Sequence, residues 1–161
     1  MVMPMAITAV PLARLLEARG FAALRLVKMA TGHRALAKSR VNGHAARLWL
    51  DTGAGQTVLD LKLARALGLP LTPRAGHGAG AGGGGLKVMA TVVSRLRLDG
   101  FTEIDFRCLA MDLDHVNAGL KQRRMKPIDG IIGADFLEHR EALIDYKASV
   151  LYLRRDSRDA A

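Results

Sequence analysis

Leu48-Trp49-Leu50-Asp51-Thr52-Gly53-Ala54 carries a carboxylate out of an apolar run and straight into a tight turn of small residues. Asp is disfavoured in strands, and a carboxylate is costly to bury unless it is paired or hydrogen-bonded. Asp51, at the end of Trp49-Leu50, therefore reads as a placed charge and a candidate catalyst. The reading without chemistry is a capped turn in an inert β-rich domain. A second apolar stretch, Ile128-Asp129-Gly130-Ile131-Ile132-Gly133-Ala134-Asp135-Phe136-Leu137, follows about 75 residues later, with a glycine-rich segment between the two.

Upstream of Asp51, residues 44–50 form a predicted strand behind Asn42-Gly43, a pair that tolerates positive φ and marks a tight hairpin. Residues 36–41 form the strand before that turn, and residues 24–29 alternate at period two, with Thr31-Gly32 as the turn between them. Residues 11–19 place Leu12, Leu15 and Leu16 at helical spacing, with Pro11 suited to a first turn and Gly20 to a stop. That apolar stripe is expected to face the core, as a lid over one end of the domain.

Downstream, Asp60 is placed to cap a helix over residues 61–67, ended by Gly68 and Pro70. Residues 75–85 read Ala-Gly-His-Gly-Ala-Gly-Ala-Gly-Gly-Gly-Gly, a loop that is entropically costly to order. Strands are predicted over residues 86–98 and 102–111, joined by the turn signal Asp99-Gly100. Residues 112–125 read as a polar, irregular loop. Asp135 and Glu138 have the spacing of a capping box, and residues 142–145 and 150–153 close the chain as strands.

Length and composition bound the function. At 161 residues the chain fits one domain with a modest core. The net charge of +9 raises the question of a nucleic-acid partner. However, the runs Lys121, Arg123, Arg124, Lys126 and Arg154, Arg155, Arg158 lack the interleaved aromatics of a single-strand site, since aromatics make up only 4% of residues. They read as solvated surface, so no nucleic-acid partner is expected, and an acidic protein substrate stays compatible with the charge. Cys108 is the single cysteine, which precludes an intrachain disulfide and suits a buried strand position. Asp112, Asp114 and His115 match no metal-loop spacing, so neither a metal nor another cofactor is expected. No run approaches the roughly 18 apolar residues of a membrane helix, and residues 1–11 lack the basic leader of a secretory signal. A soluble, cytoplasmic protein is the expectation, with the periplasm left open.

Asp-Thr-Gly-Ala after a hydrophobic strand resembles the active-site loop of aspartic proteases. Ile131-Ile132-Gly133 likewise resembles the hydrophobic-hydrophobic-Gly segment packed behind that loop in the retropepsin-like, single-lobe members. The resemblance covers residues 23–155. It leaves 1–22 as an N-terminal extension with a short amphipathic helix and 156–161 as a polar tail. It implies a mainly β, closed-barrel lobe with a short C-terminal helix, acting as a homodimer whose seam includes the last strand. Asp51 is then the catalytic residue, meeting its own copy across a two-fold axis to activate a water for peptide hydrolysis.

By the same resemblance Thr52 bonds across the axis, while Gly53 and Ala54 allow close approach of backbone and substrate. Ile131, Ile132 and Gly133 support the loop. Residues 75–85 become a flap, with Gly78, Gly80 and Gly82 joining Gly53 and Gly55 in binding substrate. Gly55 departs from the pattern, because relatives usually carry Ser or Thr there and the hydroxyl holds the loop. The alternative is a catalytically weak or inactive peptide-binding or dimerisation module on the same fold.

Overall fold

A computed structural model of the chain describes residues 11–29, 32, 34–36, 38–74 and 87–156. In chain order the elements are α1 (Leu12–Ala18), β1 (Phe21–Lys28), β2 (Arg34–Leu36), β3 (Ser39–Val41), β4 (His44–Ala45), β5 (Leu48–Leu50), β6 (Val58–Asp60) and α2 (Leu61–Ala66). There follow β7 (Thr72–Pro73), β8 (Met89–Leu98), β9 (Phe101–Met111), α3 (Asp114–Gln122), β10 (Gly130–Ile132), α4 (Ala134–His139), β11 (Leu143–Asp145) and β12 (Val150–Arg154). The chain is mainly β.

The strands pair as one path, β11-β12-β1-β2-β5-β10-β6-β9-β8-β3-β4, with β7 added on β8. This is a half-barrel. Among the described residues its two ends, β11 and β4, do not pair.

Local chemistry explains the joints. Asn42 and Gly43 adopt φ of 47° and 86°, the left-handed pair that a two-residue hairpin between β3 and β4 requires. Asp60 accepts the Lys62 N–H at 2.9 Å and starts α2, and Gly68 at φ 62° follows its end. The β8/β9 hairpin turns at Asp99, φ 51°. Its inward face changes midway: Thr91 and Val93 are buried in the first half of β8, Leu96 and Leu98 in the second. Opposite this change, Asp105 in β9 takes φ 49°, and the ladder skips the Ser94/Asp105 pair.

β5 sits between β2 and β10 and is buried at all three residues. Leu48 and Leu50 enter the main core with Leu24, Leu59, Ile132 and Phe136, whereas Trp49 enters a second cluster with Ala35, Leu113, Leu120 and Ile128. A strand covered on both faces needs a continuous apolar run, which is what Leu-Trp-Leu supplies.

Three sequence expectations are corrected. Residues 112–125 are not an irregular loop, since α3 occupies most of them. Leu113, Val116 and Leu120 recur at helical spacing on the second cluster, while His115, Ala118, Gly119 and Lys121 face solvent. The Asp112 carboxylate accepts the Asp114 N–H at 2.6 Å and opens the helix, and Asn117 clamps Ile128 through N–H and C=O bonds of 2.8 and 3.1 Å. α1 forms, but Leu12 and Leu15 remain 58% and 48% exposed. Its contact stripe is Ala13 and Leu16 against Phe21, Val150 and Tyr152, and the small Ala side chain lets that side approach the sheet. Finally, Asp135 is not the cap of α4. Gly133, in extended conformation, precedes the helix, and Glu138 is exposed.

Candidate active site

The parallel ladder between β5 and β10 runs one step past β5, because the Asp51 N–H donates to the Ile132 carbonyl at 3.0 Å. The chain then turns sharply. Asp51 Oδ1 accepts the Gly53 N–H at 2.9 Å, and the Ala54 N–H donates to the Asp51 carbonyl at 3.2 Å. A Cβ on Gly53 would stand 3.2 Å from Asp51 Oδ1, so glycine allows the carboxylate to fold over this turn. Asp51 and Ala54 are half-buried, whereas Thr52, Gly53 and Gly55 are exposed. The carboxylate thus ends a rigid, doubly buried strand and still meets solvent.

The turn is braced from behind. The Ala134 N–H donates to the Ala54 carbonyl at 2.7 Å. Gly133 lies so close to the loop that a Cβ there would be 2.5 Å from the Gln56 carbonyl carbon and 2.8 Å from the Ala54 oxygen. Ile132 is fully buried in the main core, and half-buried Ile131 packs on the Trp49 cluster. The structure therefore gathers Asp51, Thr52, Gly53, Ala54, Ile131, Ile132 and Gly133 around one joint.

Thr57 and Gln56, given no role by the sequence, and Asp135, expected there as a helix cap, complete it. Buried Thr57 donates from its N–H and its hydroxyl to Asp135 Oδ1, both at 2.8 Å, and its Oγ1 accepts the Gly133 N–H at 3.0 Å. Asp135, freed from capping, is the anchor that ties α4 to the loop. Its nearness to Gly133 in sequence was visible, but its partner lies 78 residues away. Gln56 Oε1 accepts from Arg74 Nη1 at 2.9 Å, joining the loop to β7. A cleft of about 430 Å³ lies alongside, walled in part by Gln56, Arg74, Thr91, Arg107 and Asp135.

The proposed flap, with Gly78, Gly80 and Gly82, lies outside the described residues. Among the described residues no group of three or more His, Cys, Asp or Glu side chains is placed to hold a metal, and Asp112, Asp114 and His115 do not form one. Asp114 is instead ion-paired with Lys62. Cys108 is buried in β9, where burial and then the Asp135 charge push its thiol up to about 12, so it stays a thiol at neutral pH. The exposed run from Lys121 to Lys126 covers the end of α3, and no helix among the described residues is long and apolar enough to cross a membrane.

A half-barrel that delivers Asp-Thr-Gly from one strand and backs it with a parallel Ile-Ile-Gly strand is the lobe of a retropepsin-like fold. The family model described as aspartyl protease matches residues 37–136, and the chain belongs to that family. Solved structures share the fold, two of them as follows. A retropepsin-like aspartic protease from Rickettsia conorii aligns with a TM-score of 0.56 at 17% identity, over 83% of this chain and 90% of that one. The EIAV protease, solved with an inhibitor, aligns at 0.53 and 20% identity, over 74% and 98%. No curated protein sequence matches the chain.

Proposed function

We propose that this protein is an aspartic endopeptidase whose catalytic centre is assembled from Asp51 of two identical copies. The observation that carries this reading is the Asp51 loop: a carboxylate fixed by the Gly53 N–H, solvent-accessible, braced by Gly133 and Thr57, and present once per chain. One carboxylate cannot both take a proton from water and donate one to the scissile carbonyl. A two-fold axis supplies the second from the same surface, the commonest symmetry of homo-oligomers.

Two carboxylates at contact distance cannot both ionise, so the pair shares one proton. The ionised member accepts a proton from water as its oxygen attacks the carbonyl carbon, while the protonated member donates to the carbonyl oxygen. Collapse of the tetrahedral diol breaks the C–N bond and the amine leaves with a proton. In this reading Thr52, exposed on the loop, bonds across the axis, and the substrate lies extended against Gly53 and Gly55. The rate is expected to be bell-shaped and maximal in acid, with diol mimics inhibiting.

The test is cleavage of a peptide library at pH 3 to 8, read by mass spectrometry. Asp51→Asn should abolish cleavage while leaving the thermal melt intact, and the specific rate of the native protein should fall on dilution as dimers dissociate. Cleavage surviving in pure Asp51→Asn protein, or a specific rate independent of dilution at every concentration, overturns the reading. Gly55 favours a second reading, a peptide-binding module without turnover, because this position has no side chain to hold the loop and open space around it. Saturable peptide binding with no product across the same pH range selects that one.

A further inference from the structure

At the end of β5 remote from Asp51, β3 and β8 pair so that Arg40 stands directly across from Arg97, and both are exposed. Like charges directly opposite each other weaken an antiparallel pair. The core does not call for arginine at either position, since it is Val41, Leu96 and Leu98 that turn inward beside them. The two guanidiniums line a trough of about 770 Å³ together with Lys38 and Arg47. They also line a second, of about 950 Å³, where Arg95 and the 52% exposed Ile104 join them.

None of these five cations makes an ion pair among the described residues. Asp99, Asp105 and Asp129 share the walls, but backbone N–H groups hold two of them: Arg47 N–H on Asp129 at 2.7 Å and Arg25 N–H on Asp99 at 3.3 Å. Arg40 and Arg47 each spend one N–H on a backbone carbonyl, of Gly43 and Pro127, which fixes the forks in place. A guanidinium has five donors and matches a carboxylate two at a time.

We propose that this double trough is an exosite that binds an extended, acidic stretch of polypeptide, namely a segment of the substrate lying away from the cleavage site. That the segment belongs to a substrate rests on the endopeptidase reading; the binding does not. Two troughs sharing Arg40 and Arg97 make an elongated cradle rather than a pocket for one compact ion. Among the described residues no aromatic side chain lines either trough, so nucleic-acid bases have nothing there on which to stack. No residue of the Asp51 loop, from Asp51 to Gly55, lines either trough, so the two sites are distinct.

The experiment titrates a fluorescein-labelled peptide of twenty glutamates with the 161-residue Asp51→Asn chain, read by anisotropy at low and moderate salt. Saturable binding is expected, weaker at higher salt, and weakened about tenfold or more by Arg40→Gln with Arg97→Gln. The melting temperature of that double variant should equal or exceed the parent's, because the like-charge pair is gone. If the double variant does not fold, Arg97→Gln and Lys38→Gln alone make the same comparison. Absence of saturable binding, or binding unchanged in the variants, overturns the proposal. So does tighter binding of a twenty-nucleotide oligo-dT through the same arginines, which would make this a nucleic-acid surface. In the active protein the double variant should raise KM for a peptide bearing a glutamate tail and leave the untailed peptide unaffected. If no peptide is cleaved at all, the endopeptidase reading fails while the anisotropy result still decides the binding.

Discussion

Two glycines of the candidate site have opposite reasons to be glycine. At Gly133 an added Cβ would lie 2.5 and 2.6 Å from the Gln56 carbonyl carbon and oxygen, backbone atoms that cannot step aside without moving the Asp51 loop. Gly133→Ala is expected to cost about 2–3 kcal/mol in urea unfolding and to abolish any activity of the loop. At Gly55 nothing lies within 4 Å of an added Cβ, and the backbone is not in the left-handed region. Gly55→Ala is expected to raise stability by about 0.4–1 kcal/mol, because it restricts the unfolded chain more than the folded one. A destabilised Gly55→Ala protein would mean that the loop takes another conformation in solution. The motifs put Gly55 in the loop and Gly133 in the segment behind it, but only the packing shows which of them tolerates a side chain.

At the scale of elements, the joint between β6 and α2 carries a pH signature. Burial holds the Asp60 carboxyl above its ordinary value of 3.8, outweighing the Lys62 N–H that favours the ionised form. A folded chain that binds this proton more tightly than the unfolded one has that contribution in full below the unfolded value, and loses it as pH rises through the folded one. Asn keeps an oxygen for the Lys62 N–H and carries no charge. Asp60→Asn should therefore gain stability relative to the native protein as pH rises from about 3 to 7, whereas Asp60→Ala should lose about 1 kcal/mol of capping. Urea midpoints at three pH values check both, and a pH-independent difference between Asn and Asp would refute the burial argument. The cap and the Asn42-Gly43 hairpin were legible because each is settled within four residues. α3 was not, since its polar residues masked a stripe that matters only once Trp49 and Ile128 are present to receive it.

Over the whole molecule, one buried ion pair ties distant segments together. Arg140, just after α4, bonds both oxygens of Glu103 in β9 at 2.5 Å, reaches Asp156 at 2.7 Å, and stacks 5.3 Å from the Phe101 ring centre. Burial works against the Arg140 charge, and the carboxylates of Glu103 and Asp156 more than restore it. Replacing such a pair as a unit can be neutral, but removing one partner strands a charge. Glu103→Ala is expected to cost about 3 kcal/mol in chemical denaturation, while Arg140→Leu with Glu103→Leu should cost clearly less. Equal losses would show that packing, rather than the stranded cation, sets the penalty.

The sequence alone determined the pieces whose physics is local: the alternating strands, the hairpin turn, the cap of α2, and an apolar run ending on Asp51. Resemblance then joined the two motifs into an expected retropepsin-like lobe. Tertiary structure decided what local preference cannot. It set β10 between β5 and β6, made Asp135 the anchor of Thr57 instead of a helix cap, and put Arg40 opposite Arg97. Each of these depends on strand register between residues dozens of positions apart. A side chain's own propensity is the same whichever neighbour that register brings it.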